Sequence, residues 1–346
     1  MVIAVKKVSK QILPILFILF TLLLFVFATT NINAAKTGLS IWISNIVPSL
    51  LPFFIATELL AYTPLATSLG KFLEKFMRPI FNVPGIGSYA FIMGIISGYP
   101  VGSKIVTNLY SNNLCTKHEA ERLLTFTNNS GPLFIIGTVG ISMFGNSTIG
   151  ILLFVCHILA CLCVGIIFRF YKYNKREIAN TDSIDLPASL SFNNLGSIIA
   201  LAIYNSVQSV VSIGGFIVLF SVIISMISRS NIFLFIDFIF TPILNIFNIT
   251  PEIITPIFTG IVELTNGLIT LSSIHIKDIS ILYYCASFLL GFGGISILLQ
   301  VLSITSKTDI SIKPYIFGKI LQGIIATIFT FLAINIFPFF NMNLPM

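Results

Sequence analysis

The chain has 346 residues, 56% of them hydrophobic and only 9% charged, with a mean hydropathy of +1.00. Soluble domains carry about 25% charged residues, so a water-soluble enzyme or binding domain is excluded and a polytopic membrane protein remains. The net charge of +7 sits in short clusters beside apolar runs (Lys6, Lys7 and Lys10; Lys71, Lys75 and Arg78; Arg169, Lys172, Lys175 and Arg176), the pattern of cytoplasmic flanks rather than of a nucleic-acid surface.

Residues 12–29 read as a first transmembrane span, retained rather than cleaved as a secretory leader because further spans follow. Residues 41–60 form a second span, interrupted by Pro48 and Pro52, with Glu58 near its far end. Between 69 and 80, Lys71, Glu74, Lys75 and Arg78 alternate with Phe72, Leu73, Phe76 and Met77, the mixed spacing of a helix lying in the interface. Residues 86–110 are long enough to enter or cross the bilayer, but glycine and proline punctuate their second half. Thr116 opens a polar helix in which Glu119 completes the capping-box spacing. Its His118, Glu119 and Glu121 read as solvated surface groups, and it ends at the break 128–132. Residues 149–170 are an uninterrupted span.

Residues 181–194 are the most polar stretch and read as a connector. Beyond them, 198–227 exceeds the roughly 20 residues of an upright crossing, so it tilts or lays its first part flat. Residues 232–247 enclose Asp237 and Pro242, 256–271 enclose Glu263, Thr265, Asn266 and Gly267, and 281–302 enclose Gly291, Gly293 and Gly294. Residues 315–339 close the chain. Cys115, Cys156, Cys161, Cys163 and Cys285 have no disulfide or metal-ligand spacing, and His118, His157 and His275 have none either. No nucleophile with its base is visible, so no enzyme activity and no metal are expected.

The two halves resemble one another. VPSLLPFF from Val47 lies over VVSIGGFI from Val210, and at the same offset PIFN from Pro79 lies over PILN from Pro242. Further on, GII at Gly94 matches GIV at Gly260, and GTVGIS from Gly137 matches GFGGIS from Gly291. Their common order indicates duplication. Cytoplasmic Lys6–Lys10 and Arg169–Arg176 place the two copies in opposite directions, with Arg229 the one external charge that fits less well. The expected fold is therefore an all-α polytopic membrane protein of two inverted repeats with broken or re-entrant helices. Its divisions are an N-terminal transmembrane helix (1–36), a first repeat (37–176), a polar connector (177–196) and a second repeat (197–346).

Breaks within apolar sequence must face protein or a water-filled cavity, because lipid leaves their backbone groups unsatisfied. Three candidates for a substrate site follow. In Gly98-Tyr99-Pro100-Val101-Gly102-Ser103-Lys104 the helix is interrupted and a cation is placed at depth; Lys104 either attracts a carboxylate or snorkels to the interface from an ordinary helix end. Asn128, Asn129 and Ser130 precede Gly131-Pro132 and offer donors and acceptors at a second break, with a surface turn as the alternative. Glu263, Thr265 and Asn266 supply a third group, in which Glu263 binds a coupling proton or sodium ion, neutralises Lys104, or forms a structural ion pair. Asn205, Ser206, Gln208 and Ser209 add polar groups to one long helix, as cavity lining or as helix-to-helix contacts.

These motifs carry a family resemblance. GIISGYPVGSKIV followed by LCTKHEAERLLTFTNNSGPLFIIGTVG is similar to the YlbJ family of sporulation integral membrane proteins, and through it to nucleoside-recognition gate proteins and the core of concentrative nucleoside transporters. Gly98, Pro100, Gly102, Lys104, Glu119, Glu121, Arg122, Asn128, Asn129 and Pro132 carry the pattern, while Tyr99, in place of a Phe, and Gly131 depart from it. The resemblance implies a secondary transporter that moves dipicolinic acid, a planar dicarboxylate, from the mother cell across the outer forespore membrane by alternating access. Lys104 and helix N-termini would meet its carboxylates and Tyr99 would cover its ring, with no cofactor beyond a coupling H+ or Na+. Partners are then a small organic anion and the lipid bilayer, with no nucleic acid. Nucleoside or nucleobase transport, and a non-transporting scaffold for spore-envelope assembly, are the alternatives.

Overall fold

A computed structural model describes residues 2–63, 72–73, 75–173, 194–230, 232–246 and 249–336. The side chains of Lys6, Lys7 and Lys10, and all of Lys71, Glu74, Lys175, Arg176 and the connector up to residue 193, lie outside the described residues. Every described regular element is helical. Helices Ser147–Phe168, Leu195–Arg229, Ser280–Thr305 and Lys313–Ile336 are long and apolar enough to cross a membrane, and Pro14–Val26 with Ala28–Ile46 form a further pair bent by 99°.

The first half begins with α1 (Val2–Val26) and α2 (Ala28–Ile41). The expected interruption near Pro48 takes the form of a π turn over Trp42–Ile46, which leads without a break into α3 (Val47–Ala61). Widening the turn ahead of the prolines accommodates their missing donors and ring bulk while the helix continues.

Residues 86–110 neither cross nor end. They form α4 (Gly87–Ser97) and α5 (Val101–Ser111), joined at Gly98-Tyr99-Pro100. In one continuous helix Gly94 and Gly102 would stand about 12 Å apart, yet a Cβ placed on Gly94 lies 3.3 Å from the Gly102 Cα. The chain therefore doubles back as a hairpin. Gly98 turns it at φ +76°, a left-handed conformation that glycine adopts without strain.

Helix α6 (Lys117–Thr127) starts with the expected capping box: Glu119 N donates to Thr116 Oγ1 at 3.3 Å and Thr116 N donates to Glu119 Oε2 at 2.9 Å. It ends at Asn128, and the chain resumes after Pro132 as a π-helical segment, Leu133–Met143. Helix α7 (Ser147–Phe168) closes the half, capped by Asn146 Oδ1, which accepts from Thr148 N and Ile149 N.

Glu119 and Glu121 are not surface carboxylates as the sequence suggested; they are 1% and 0% exposed. Glu119 pairs with Arg78, and Glu121 accepts from Ser311 N at 3.0 Å while facing His118 and Lys172. Glu121→Gln keeps the Ser311 bond and loses the attraction to its basic neighbours. It is expected to cost about 1–2 kcal/mol, measured as a lower thermal midpoint in detergent.

The second half repeats the series: a long span α8 (Leu195–Arg229), a short apolar α9 (Ile232–Ile246) that buries none of its side chains, a hairpin, a broken span and a closing span. The hairpin is α10 (Ile254–Val262) and α11 (Leu264–Ser272), folded so tightly at Glu263 that a Cβ on Gly267 falls 2.1 Å from the Gly260 Cα. The broken span is α12 (Ser280–Phe292) and α13 (Gly294–Thr305), divided where Gly293 and Gly294 take φ +85° and +83°. Helix α14 (Lys313–Ile336) ends the series. Helix α8 runs unbroken for 35 residues.

The matching elements run in opposite directions. Gly38 packs on Ser221, Trp42 packs on Gly214 and donates from Nε1 to the Val210 carbonyl at 2.9 Å, and Asn205 Nδ2 reaches Glu58 Oε2 at 3.5 Å. Residue numbers rise along α2–α3 as they fall along α8, so the equivalent spans are antiparallel and the two repeats are inverted. One matched motif is out of register: Gly137–Ser142 lies beyond the first broken span's interruption, whereas Gly291–Ser296 straddles the second.

Between α13 and α14, the connecting loop is tied to the first half by Asp309, which accepts from the Tyr110 hydroxyl at 2.6 Å and from Lys117 Nζ at 2.9 Å. These two donors hold the Asp309 carboxyl below its ordinary range. A depressed carboxyl stabilises the fold above its unfolded titration range, and that gain disappears as pH falls through the lowered folded value. Wild type is therefore expected to melt slightly above Asp309→Asn at neutral pH, and the two midpoints to converge in strong acid.

Candidate functional site

Each hairpin tip is seated on the interruption of its own repeat's broken span. Gly94 and Gly102 hold the Thr127 carbonyl at the end of α6, and a Cβ on Gly98 would meet Gly131 N at 2.8 Å. In the second repeat a Cβ on Gly294 would lie 3.0 Å from the Gly260 carbonyl oxygen and 3.2 Å from Leu264 N. The two assemblies meet at Tyr99, whose hydroxyl stands 3.1 Å from the Cβ position of Gly293. All four backbone interruptions thus come together.

They line a central cavity of about 60 Å³, room for more than one water, since a single water needs about 10–15 Å³ on this measure. Its polar lining comes from all four: Ser97, Gly98 and Tyr99 from the first hairpin, Ser130 and Gly131 from the first broken span, Glu263 and Thr265 from the second hairpin, and Ser296 and Gln300 from α13. Ile46, Leu50, Phe54, Phe134, Ile213, Ile217, Leu264 and Ile297 supply the apolar walls. Glu263 caps α11, its Oε2 accepting from Asn266 N at 2.7 Å. The Tyr99 hydroxyl lies beside Ser130, yet Tyr99 OH, Ser130 Oγ and Ser296 Oγ are buried with no hydrogen bond of acceptable geometry to the protein. Buried hydroxyls left in this way are costly.

A second cavity, about 180 Å³, adjoins the first and shares Phe54 and Ser97 with it. Thr57, Glu58, Tyr89, Lys104, Ser206 and Ser209 line it, with Lys104 Nζ donating to Ser209 Oγ at 3.0 Å. Lys104 thus lies in this antechamber and keeps an accessible side chain. Its hydrogen-bond partner is Ser209, while Glu263 caps α11, so the structure does not pair the two as one reading of Glu263 has it.

Of the residues anticipated from sequence, Gly98, Tyr99, Ser130, Glu263 and Thr265 line the central cavity and Lys104 its neighbour. Pro100, Gly102, Ser103, Asn128, Asn129 and Asn266 build the frame instead. Ser103 Oγ donates to the Pro100 carbonyl, Asn128 Nδ2 donates to the Tyr315 hydroxyl, Asn129 Nδ2 donates to the Phe126 carbonyl and Asn266 Nδ2 donates to Ser221 Oγ. Behind them lies a network absent from the sequence reading: Lys319 and Gln322 of α14, both 0% exposed, with His157 of α7. Ser296 and Gln300 also went unassigned, although the Gly293-Gly294 pair ahead of them marks the break. Among the described residues no three His, Cys, Asp or Glu side chains gather as a metal site.

A family model described as "Gate: Nucleoside recognition" matches residues 43–168. The chain is 36% identical over 342 residues to the sporulation integral membrane protein YlbJ of Bacillus subtilis (strain 168), covering 94% of this chain and 83% of that protein. Among solved structures it resembles CNTnw in an inward-facing substrate-bound state, with a TM-score of 0.58, 13% identity, and coverage of 94% of this chain and 86% of the other. A CNTnw variant in an intermediate state gives a TM-score of 0.59 at 11% identity, covering 95% and 85%. At these identities the structures establish a shared fold.

Proposed function

The chain belongs to the YlbJ family of sporulation integral membrane proteins, and we propose that it is a non-enzymatic carrier that moves a small polar solute across the bilayer by exposing its central cavity to each side in turn. The observation that carries this reading is the convergence of four helix interruptions, two from each inverted repeat, on one cavity lined by polar residues from all four, among them Tyr99, Ser130, Glu263, Thr265 and Gln300. Interrupted helices meeting at the repeat interface are how carriers of this kind build their sites. A cavity at the centre also argues against a purely structural scaffold.

Two substrate readings remain, and the lining favours one. Glu263 is the single acidic or basic residue among those that line the central cavity, accompanied by Gln300, Thr265, hydroxyls and the Tyr99 ring. That combination suits an uncharged, hydrogen-bonding, ring-bearing solute such as a nucleoside or nucleobase, and the match to a nucleoside-recognition model supports it. Dipicolinate, moving from the mother cell across the outer forespore membrane, is the reading supported by the sporulation relative. As a dianion it fits if one carboxylate engages Lys104 across Ser97 and Glu263 is protonated when the solute binds.

Reconstituted liposomes loaded in parallel assays with labelled uridine or dipicolinate test both. Protein-dependent flux of uridine that excess dipicolinate does not compete selects the nucleoside reading. Dipicolinate flux that falls at least tenfold in Lys104→Ala selects the anion reading. Flux of neither solute under any imposed gradient counts against the carrier.

A further inference from the structure

Lys319 projects from α14 into the protein and is 0% exposed. Its Nζ donates to the Asn128 carbonyl oxygen at 3.0 Å and to Gln322 Oε1 at 2.7 Å, and it lies 5.2 Å from the centroid of the Tyr99 ring. Each of these groups is electron-rich. Asn128 is the residue at which α6 stops, so its carbonyl belongs to the negative end of a half-helix. Gln322 is oriented by its other end: Nε2 donates to Asn129 Oδ1 at 3.0 Å and faces His157 Nε2 at 3.3 Å, which turns the amide oxygen toward Lys319. The face of an aromatic ring attracts a cation as well.

A main-chain carbonyl at a half-helix C-terminus, an amide oxygen and a ring face together make a binding cage for a monovalent cation. In carriers built from interrupted helices, unwound carbonyls and half-helix C-terminal ends are where coupling ions are held. Here that place is already filled, by the Lys319 amine, which is tethered to α14. We infer that the Lys319 ammonium is a built-in substitute for an inorganic coupling cation, so that the cage around Asn128, Gln322 and Tyr99 takes up neither Na+ nor K+. The same side chain also holds the Tyr99 ring and keeps α14 attached to the interruption of the first broken span.

The test reads thermal stability rather than uptake, so its outcome is separate from that of the carrier reading. Purified protein in detergent is melted in choline chloride, NaCl and KCl of equal ionic strength, followed by fluorescence of Trp42, the single tryptophan of the chain. Wild type is expected to give the same midpoint in all three salts. Lys319→Ala opens the cage: its midpoint falls in choline and recovers by roughly 2 °C or more in Na+ or K+, as ligand binding to the folded state requires. Lys319→Ser, which adds a hydroxyl ligand, supplies the same comparison should the alanine protein not fold. A Na+- or K+-specific rise in wild type, or identical midpoints in the three salts for the folded variant, overturns the inference.

Discussion

Gly94→Ala is expected to prevent accumulation of a folded, monodisperse protein. A Cβ at this position would sit 1.7 Å from the Thr127 carbonyl oxygen, and one on Gly102 would sit 2.2 Å from the same atom. Both arms of the first hairpin therefore close on the last carbonyl of α6, and the obstacle is backbone rather than a side chain that can rotate away. Overpacking of an ordinary core costs about 1–3 kcal/mol because neighbouring side chains adjust. Here relief requires moving the hairpin tip, which also carries Gly98 against Gly131 and Tyr99 against Gly293. The cost should exceed that range, with Gly102→Ala behaving alike. Gly196→Ala is the control: a Cβ there meets nothing within 4 Å, and alanine in the first turn of α8 should leave the midpoint unchanged or raise it slightly. Size-exclusion profiles and Trp42 melting curves distinguish the outcomes. A monodisperse Gly94→Ala protein melting near wild type would mean that the hairpin and α6 are not packed this closely.

The same close packing explains which parts of this molecule are readable from its sequence. Gly98-Tyr99-Pro100 and Asn128–Pro132 stand out because glycine, proline and amides inside apolar sequence announce a backbone that leaves the helix, and the structure interrupts both segments there. Whether an interrupted segment folds back or continues is another matter. That depends on Gly94 facing Gly102, a contact across eight residues that an apolar run does not display. The carboxylates Glu119 and Glu121 look like surface groups in the sequence for a related reason. They sit in a polar run, Lys117 to Arg122, that looks solvated, yet their partners Arg78 and Ser311 come from 41 and 190 residues away. Lys319, Gln322 and His157 are harder still. Each is an isolated polar residue in an apolar helix, and only folding brings α14 against the first broken span. The motif pairing of Gly137 with Gly291 failed on register, since small residues recur often enough in such helices to align by chance. The longest match, VPSLLPFF over VVSIGGFI, joins α3 to α8, and these spans do pack as antiparallel equivalents.

Glu263→Gln is expected to preserve the fold while changing which solutes the central cavity accepts. Glu263 is 3% exposed and serves as the N-cap of α11 through Oε2 and Asn266 N. A glutamine amide oxygen can accept the same bond, so the structural loss should stay within the roughly 1 kcal/mol of a weakened cap. The electrostatic change is larger. A carboxylate bound in so small a cavity would lie about 5 Å from Glu263, and with Glu263 ionised two like charges at that distance repel by about 3 kcal/mol at an effective dielectric of about 20. Removing one of them shifts relative affinity by about a hundredfold. Competition in liposomes should therefore show wild type preferring uridine, and Glu263→Gln moving the uridine-to-dipicolinate ratio toward the dicarboxylate by that order. Lys104→Ala should act in the opposite sense, because its ammonium lies in the adjoining cavity that an extended anion would reach past Ser97. A ratio unchanged by Glu263→Gln would mean that the bound solute does not sit against this carboxylate, and the substrate site would then have to be sought beyond the cavity where the four interruptions meet.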